Sequence, residues 1–138
     1  MDTSAPAAEL LSPYEQLGAR AAIDRVVGRF YDLMEQDPAY AELRAMHAAD
    51  LAPMRASLAG FLSGWAGGPR DWFDANPGKC MMSMHSGFTI TRETAVQWVE
   101  AMERAFADCG LADHPVARLM NERFRMMAGG MAGEALPA

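Results

Sequence analysis

The sequence predicts an all-α domain of short, unequal helices packed at angles rather than a long parallel bundle. Three observations carry this. Apolar residues recur at helical offsets in successive stretches. No stretch of convincing length alternates apolar and polar residues as a half-buried strand would. Cap residues, prolines and glycines punctuate the periodic stretches at short intervals. The chain has 138 residues, 51% apolar and 22% charged, a size and balance that suit one folded domain. Residues 12–128 are expected to form it, with flexible tails at 1–11 and 129–138.

Ser12-Pro13-Tyr14-Glu15 opens the first helix. Serine caps, proline suits the first helical position and the glutamate sits three residues after the cap. Gly18-Ala19 then marks a bend. Ile23, Val26, Val27, Phe30, Tyr31 and Met34 form one apolar face of the next helix, with Asp24, Arg25, Arg29, Asp32 and Glu35 opposite. Asp37-Pro38 stops it and starts a short helix from Ala39 to Met46. Asp50 caps another, tolerating Pro53 in its first turn, and Met54, Leu58, Phe61, Leu62 and Trp65 form its inner face. Gly67-Gly68-Pro69 ends it.

From Arg70 to Gly78 the periodicity breaks, and a short helical piece is expected from Lys79 to His85. Thr91 caps the following helix, whose buried face is Ala95, Trp98, Val99, Met102, Ala105 and Phe106. Asp113 and Pro115 open the last helix, Val116 to Met127, which buries Val116, Leu119, Met120, Phe124 and Met127.

Several functions are excluded by composition and motif. Eighteen acidic against 12 basic residues give a net charge of −6 with no basic cluster, which argues against nucleic-acid binding. No apolar run reaches the roughly 18 residues of a membrane span. Met1-Asp2-Thr3-Ser4 lacks the positive flank of a secretory signal, and Cys80 and Cys109 form no CxxC pair, so a cytoplasmic location is expected. The motifs of zincins, di-iron bundles, nucleotide-binding loops, serine hydrolases and EF-hands are absent. Twelve methionines suit an irregular ligand-filled core, although composition alone explains them as filler.

Three histidines remain, His47, His85 and His114. A lone histidine is ordinarily a surface residue or a satisfied core residue, and His114, in a helix-opening turn, fits the former. His85 sits among Met81, Met82, Met84 and Phe88. One imidazole in an apolar setting is what haem iron needs from a protein.

The chain resembles the truncated haemoglobins of the second group, from Tyr14 to Met127. Phe30-Tyr31 ends the second helix's apolar face as that family's Phe-Tyr pair does. Leu43-Arg44-Ala45-Met46-His47 is similar to its Leu-Arg-Ala-Leu-His stretch. Phe61-Leu62-Ser63-Gly64-Trp65 followed by Gly67-Gly68-Pro69 matches the end of its distal helix. His85 followed by Phe88 falls where the proximal histidine does, and Trp98 lies 13 residues later, where group members carry a tryptophan. The order and spacing of these motifs are specific together.

The resemblance implies a two-over-two helical sandwich around haem b. His85 would ligate the iron on the proximal side. Tyr31, Trp98 and His47 would line the distal side with phenol, indole and imidazole donors. Met54, Leu58, Phe61 and Leu62 would form the distal wall, and Phe30, Trp72, Met84 and Phe88 would complete the contacts with haem. Met54 replaces a residue that is often small in the group, so it should narrow access to the iron; its thioether could alternatively reach ferric iron as a ligand. Without the resemblance, Tyr31 and Trp98 would read as packing residues and His47 as exposed.

Some family features are missing. Gly18-Ala19 stands where many members have Gly-Gly, Met84 replaces a basic residue, and Pro77-Gly78-Lys79 replaces Gly-His-Pro. Lys79, Arg70 and Arg55 are the propionate candidates on charge alone, with Trp72 over that edge.

The function implied is binding of O2 and other diatomic gases. A bound gas that gains negative charge is held by the distal donors. Hydrogen bonds to charged acceptors are worth about 1.5 to 3 kcal/mol each, so two of them slow release by roughly two orders of magnitude or more. Slow release suits redox turnover of nitric oxide or peroxide better than bulk delivery. Nitric oxide dioxygenation would require a separate reductase, whereas peroxidase-like turnover needs only haem and oxidisable donors. A haem-based gas sensor or interaction module without turnover is the alternative, and a haem-free helical module a third reading. A monomer or weak homodimer is expected.

Overall fold

The computed structural model describes residues 11–79 and 89–133, and within them all regular structure is helical. The helices are α1 (Pro13–Leu17), α2 (Ala19–Gln36), α3 (Ala41–Ala45), α4 (Ala52–Trp65), α5 (Asp71–Ala75), α6 (Arg92–Asp108) and α7 (Pro115–Ala132), with a 3-10 turn at Pro38–Tyr40. The long helices make two layers: α2 packs on α4, α6 packs on α7, and α2 crosses α6 to join the pairs. This is the two-over-two arrangement. No described helix is long and apolar enough to cross a membrane.

The caps read from sequence hold with small displacements. Ser12 Oγ accepts from the Glu15 amide at 3.1 Å, satisfying an otherwise orphaned donor of α1. The bend falls at Gly18 (φ 121°) and Ala19 (φ 62°). Asp37 closes α2, and its side chain accepts from the Ala39 amide at 2.9 Å to start the 3-10 turn. Asp50 sits one residue before the cap position of α4, which Leu51 occupies, but Asp50 Oδ1 still accepts from the Ala52 amide at 3.0 Å. Thr91 and Thr94 form a reciprocal capping box at the start of α6. His114, rather than Asp113, caps α7: its Nδ1 accepts from the Val116 amide at 3.1 Å. Its Nε2 is 3.1 Å from the Gln16 carbonyl, so it bridges α1 and α7 rather than lying free in solvent.

Three expectations are corrected. The stretch from Arg70 to Gly78 contains helix α5, which five residues are too few to reveal by period. It docks because α4 offers two glycines on one face. A Cβ on Gly60 would lie 3.2 Å from Trp72 Cβ, and one on Gly64 would lie 2.6 Å from the Phe73 ring. The last helix does not stop at Met127. It continues through Gly129 and Gly130 to Ala132, because Ala128 and Gly129 are buried, and ends at Gly133 in the left-handed conformation. Leu119, expected inside, is 48% exposed, and Ala117 is buried in its place. The helical piece expected after Lys79 lies outside the described residues.

The core is a single cluster running through α2, α4, α6 and α7, with a satellite of Ala95, Val99 and Ala128 between the far ends of α6 and α7. Trp98 packs against both. The corner after α2 is strapped to α6 by three side chains on one face of that helix. Gln97 Oε1 accepts from the Leu43 amide at 3.1 Å, Tyr40 donates to Glu100 at 3.2 Å, and Arg104 donates to Tyr40 Oη at 3.0 Å and to Asp37 at 2.7 Å. The hydrogen bonds from Arg104 and the Ala39 amide hold the Asp37 carboxyl below its usual range.

Candidate functional site

Helix α2 brings Tyr31 inward because its apolar residues share one face, and Phe30 fixes its ring. The Phe30 ring lies edge-on to Tyr31 at 4.9 Å and to Trp98 at 5.2 Å. Trp98 in turn meets Phe124 of α7 at 5.3 Å. On the other side Phe61 of α4 meets Trp72 at 5.2 Å, edge to face. Trp65, stacked on Phe61 at 6.3 Å and on Phe124 at 5.3 Å, joins the two groups into one aromatic array.

Beside these rings is a cavity of about 250 Å³. Among the residues singled out from the sequence, Tyr31, His47, Met54, Leu58, Phe61, Leu62, Trp72 and Trp98 line it. Phe30 does not: it is fully buried behind Tyr31 and Trp98 and acts as their backing. Met84, His85 and Phe88 lie outside the described residues.

Sequence reading missed much of the floor. Phe124, Met127, Ala128 and Met131 of α7 line the cavity, as do Ile90, Thr94 and Ala95 at the start of α6 and Leu43, Met46 and Ser57 on the distal side. A signal for the α7 residues was present. Their offsets of 3, 4 and 7 make a single helical stripe, hidden only by ending the helix at Met127.

The polar groups of this apolar chamber divide into engaged and available. Ser57 Oγ accepts from the Trp72 indole at 2.9 Å, which locks α5 onto α4. Thr94 is used in its capping box. Among the described residues, no hydrogen bond reaches the Tyr31 hydroxyl or the Trp98 indole N–H, and both residues line the cavity. Burial pushes the Tyr31 phenol up to about 12, against the opposing pull of the Arg55 cation, so it stays a neutral donor at physiological pH.

His47 is 6.1 Å from Tyr31, ring centre to ring centre, and its Nδ1 lies 2.8 Å from the Leu43 carbonyl. A carbonyl only accepts, so Nδ1 carries a proton. The imidazole N–H expected to point at a gas is thus already committed to the backbone. Arg44 closes the loop around His47 through the Ala48 and Ala49 carbonyls at 3.0 and 2.9 Å.

None of the three propionate candidates lines the cavity. Arg55 is engaged with α2, and the Arg70 guanidinium lies over the Phe73 ring at 4.7 Å. Lys79 is exposed.

The family model described as bacterial-like globin matches residues 12–132. The chain is a bacterial-like globin. Solved structures similar to this globin include the cold-adapted truncated haemoglobin of Pseudoalteromonas haloplanktis TAC125, 30% identical. That match covers 90% of this chain and 99% of the other, with a TM-score of 0.82. The group II truncated haemoglobin of Bacillus anthracis is 25% identical over 91% of this chain and 98% of the other, with a TM-score of 0.79. The group II 2-on-2 haemoglobin of Agrobacterium tumefaciens shares the fold with a TM-score of 0.84 at 24% identity, over 94% of this chain and 98% of the other. A search of curated proteins finds no match. The globin thus stands among the truncated, two-on-two haemoglobins, and haem with its iron is its cofactor.

The cavity fits that group. Its lining is mostly aliphatic, aromatic and thioether, suited to a flat apolar macrocycle, and the donors without partners among the described residues lie on the Tyr31–Trp98 side. This globin is a haem protein of the gas-binding class.

Proposed function

We propose that this globin binds O2 and other diatomic gases with His85 as the iron's protein ligand and Tyr31 as the principal distal donor. The observation that carries the reading is the buried Tyr31 hydroxyl, a neutral phenol on the cavity wall whose donor has no acceptor among the described residues. Haem iron, when present, supplies the bond to the gas. The chain's own residues do the rest. Tyr31 and Trp98 offer N–H and O–H donors to an atom that gains negative charge, while Met54, Leu58, Phe61 and Leu62 exclude water around it. His47 lines the same cavity beside Tyr31, with its Nδ1 held by the Leu43 carbonyl.

Slow release of gas favours redox turnover of nitric oxide or peroxide over delivery, with electrons for the former supplied by a separate reductase in the cytoplasm. Stopped-flow measurement of O2 release tests the donor roles. Tyr31→Phe should accelerate release about ten- to a hundredfold, the loss of one hydrogen bond to a charged acceptor. Equal release from wild type and Tyr31→Phe would remove Tyr31 from the site. Hemin titration of His85→Ala tests the ligand: a Soret band indistinguishable from wild type in both oxidation states would overturn the assignment.

A further inference from the structure

Arg55 lies outside the cavity but holds the two helices that form its distal side. It sits in the first turn of α4, directly after Met54, which lines the cavity. Its guanidinium crosses to α2 and makes three polar contacts there. Nη1 donates to the Gly28 carbonyl at 3.0 Å, and Nη2 donates to Asp32 at 2.9 Å and to Glu35 at 3.4 Å. The guanidinium carbon lies 5.7 Å from the centre of the Tyr31 ring. Arg55 is the one charged residue of α4.

We propose that Arg55 is a positioning residue for the gas site, clamping the first turn of α4 to α2 so that the Tyr31 hydroxyl and the Met54 wall keep a fixed separation. The chemistry requires arginine. A planar fork can serve a backbone carbonyl and two carboxylates in different directions while resting beside an aromatic ring; a lysine ammonium cannot span the same points in one orientation. A donor displaced by a fraction of an ångström loses much of its hydrogen bond, so the clamp acts on gas release through Tyr31 without touching the gas. The inference rests on Tyr31 being the distal donor.

The test uses the ferrous, carbon monoxide-bound protein and its O2-bound form. Arg55→Met should move the tyrosine resonance of Tyr31 but not those of Tyr14 or Tyr40, and shift the C–O stretch. It should also speed O2 release roughly three- to tenfold, less than Tyr31→Phe does. Arg55→Lys should recover little of this. In a Tyr31→Phe background Arg55→Met should add nothing, because its effect passes through the hydroxyl. Unchanged Tyr31 resonance and release in Arg55→Met, or an additive effect in the double variant, would overturn the proposal. If Arg55→Met fails to fold, the pair Asp32→Asn and Glu35→Gln removes the anchors instead and is held to the same outcomes. If Tyr31→Phe leaves release unchanged, the donor assignment fails, while the Tyr31 resonance still reports whether Arg55 sets that ring.

Discussion

Burial and the Arg55 charge pull the ionisation of Tyr31 in opposite directions, and burial wins. A folded-state value raised from 10.0 to about 12 favours the native state while the phenol is protonated. That contribution is complete below the unfolded value of about 10 and is lost as pH climbs towards the folded one. Wild type should therefore lose thermal stability steeply above about pH 10. Tyr31→Phe should lose less over the same range, as read from melting curves, and identical slopes would refute the shift.

Ala19 is the other residue with a measurable consequence. Its φ of 62° is the left-handed region that costs a non-glycine residue about 1 kcal/mol or more. Ala19→Gly should stabilise the fold by about 0.5 to 1 kcal/mol, a melting rise of about 2 to 4 °C. Gly18 has no such freedom, because its φ is 121° and a Cβ there would lie 2.9 Å from that of Ala22.

At the scale of elements, α4 and α5 show how packing replaces propensity. Gly64 costs α4 helix stability in isolation, but it lets Phe73 approach. Gly64→Ala should destabilise by about 1 to 3 kcal/mol, since the new methyl meets both the Phe73 ring and the Pro69 carbonyl. Chemical denaturation reads this directly, and a neutral effect would mean that α5 is loosely held.

The same contrast explains which elements were legible in the sequence. The helices α2, α4 and α6 announce themselves through long apolar stripes bounded by Asp37, Gly67-Gly68-Pro69 and Thr91. Helix α5 is set by glycines on another helix, which no local pattern records. The end of α7 depends on burial of Ala128 and Gly129, which overrides glycine's poor helical tendency. The candidate site follows this division: its α2 and α4 residues were readable, and its α7 stripe was readable only as far as Met127. The role of His47 could not be read either, because the carbonyl that fixes its proton is a backbone group.

Over the whole molecule, the cavity separates the main core from the small satellite of Ala95, Val99 and Ala128, and Trp98 spans the two. Haem binding to the folded state alone adds stability in proportion to the logarithm of its concentration over its dissociation constant. Removing haem should lower the melting temperature and raise amide exchange first in residues 90–99 and 124–132, with the buried middle of α2 around Val26 and Val27 protected longest. Uniform exchange across the chain would show that the cavity does not divide the fold.

The strap from α6 to the corner at 37–43 has a further consequence. Gln97, Glu100 and Arg104 rivet that corner to the helix that also carries Trp98. The strap fixes one bank of the segment from 46 to 51, and α4, tied to α2 through Arg55, is the other. Lengthening that segment by a few residues should displace Met46 and His47 on the cavity wall while Tyr31 and Trp98 keep their places, so O2 release should change less than it does in Tyr31→Phe.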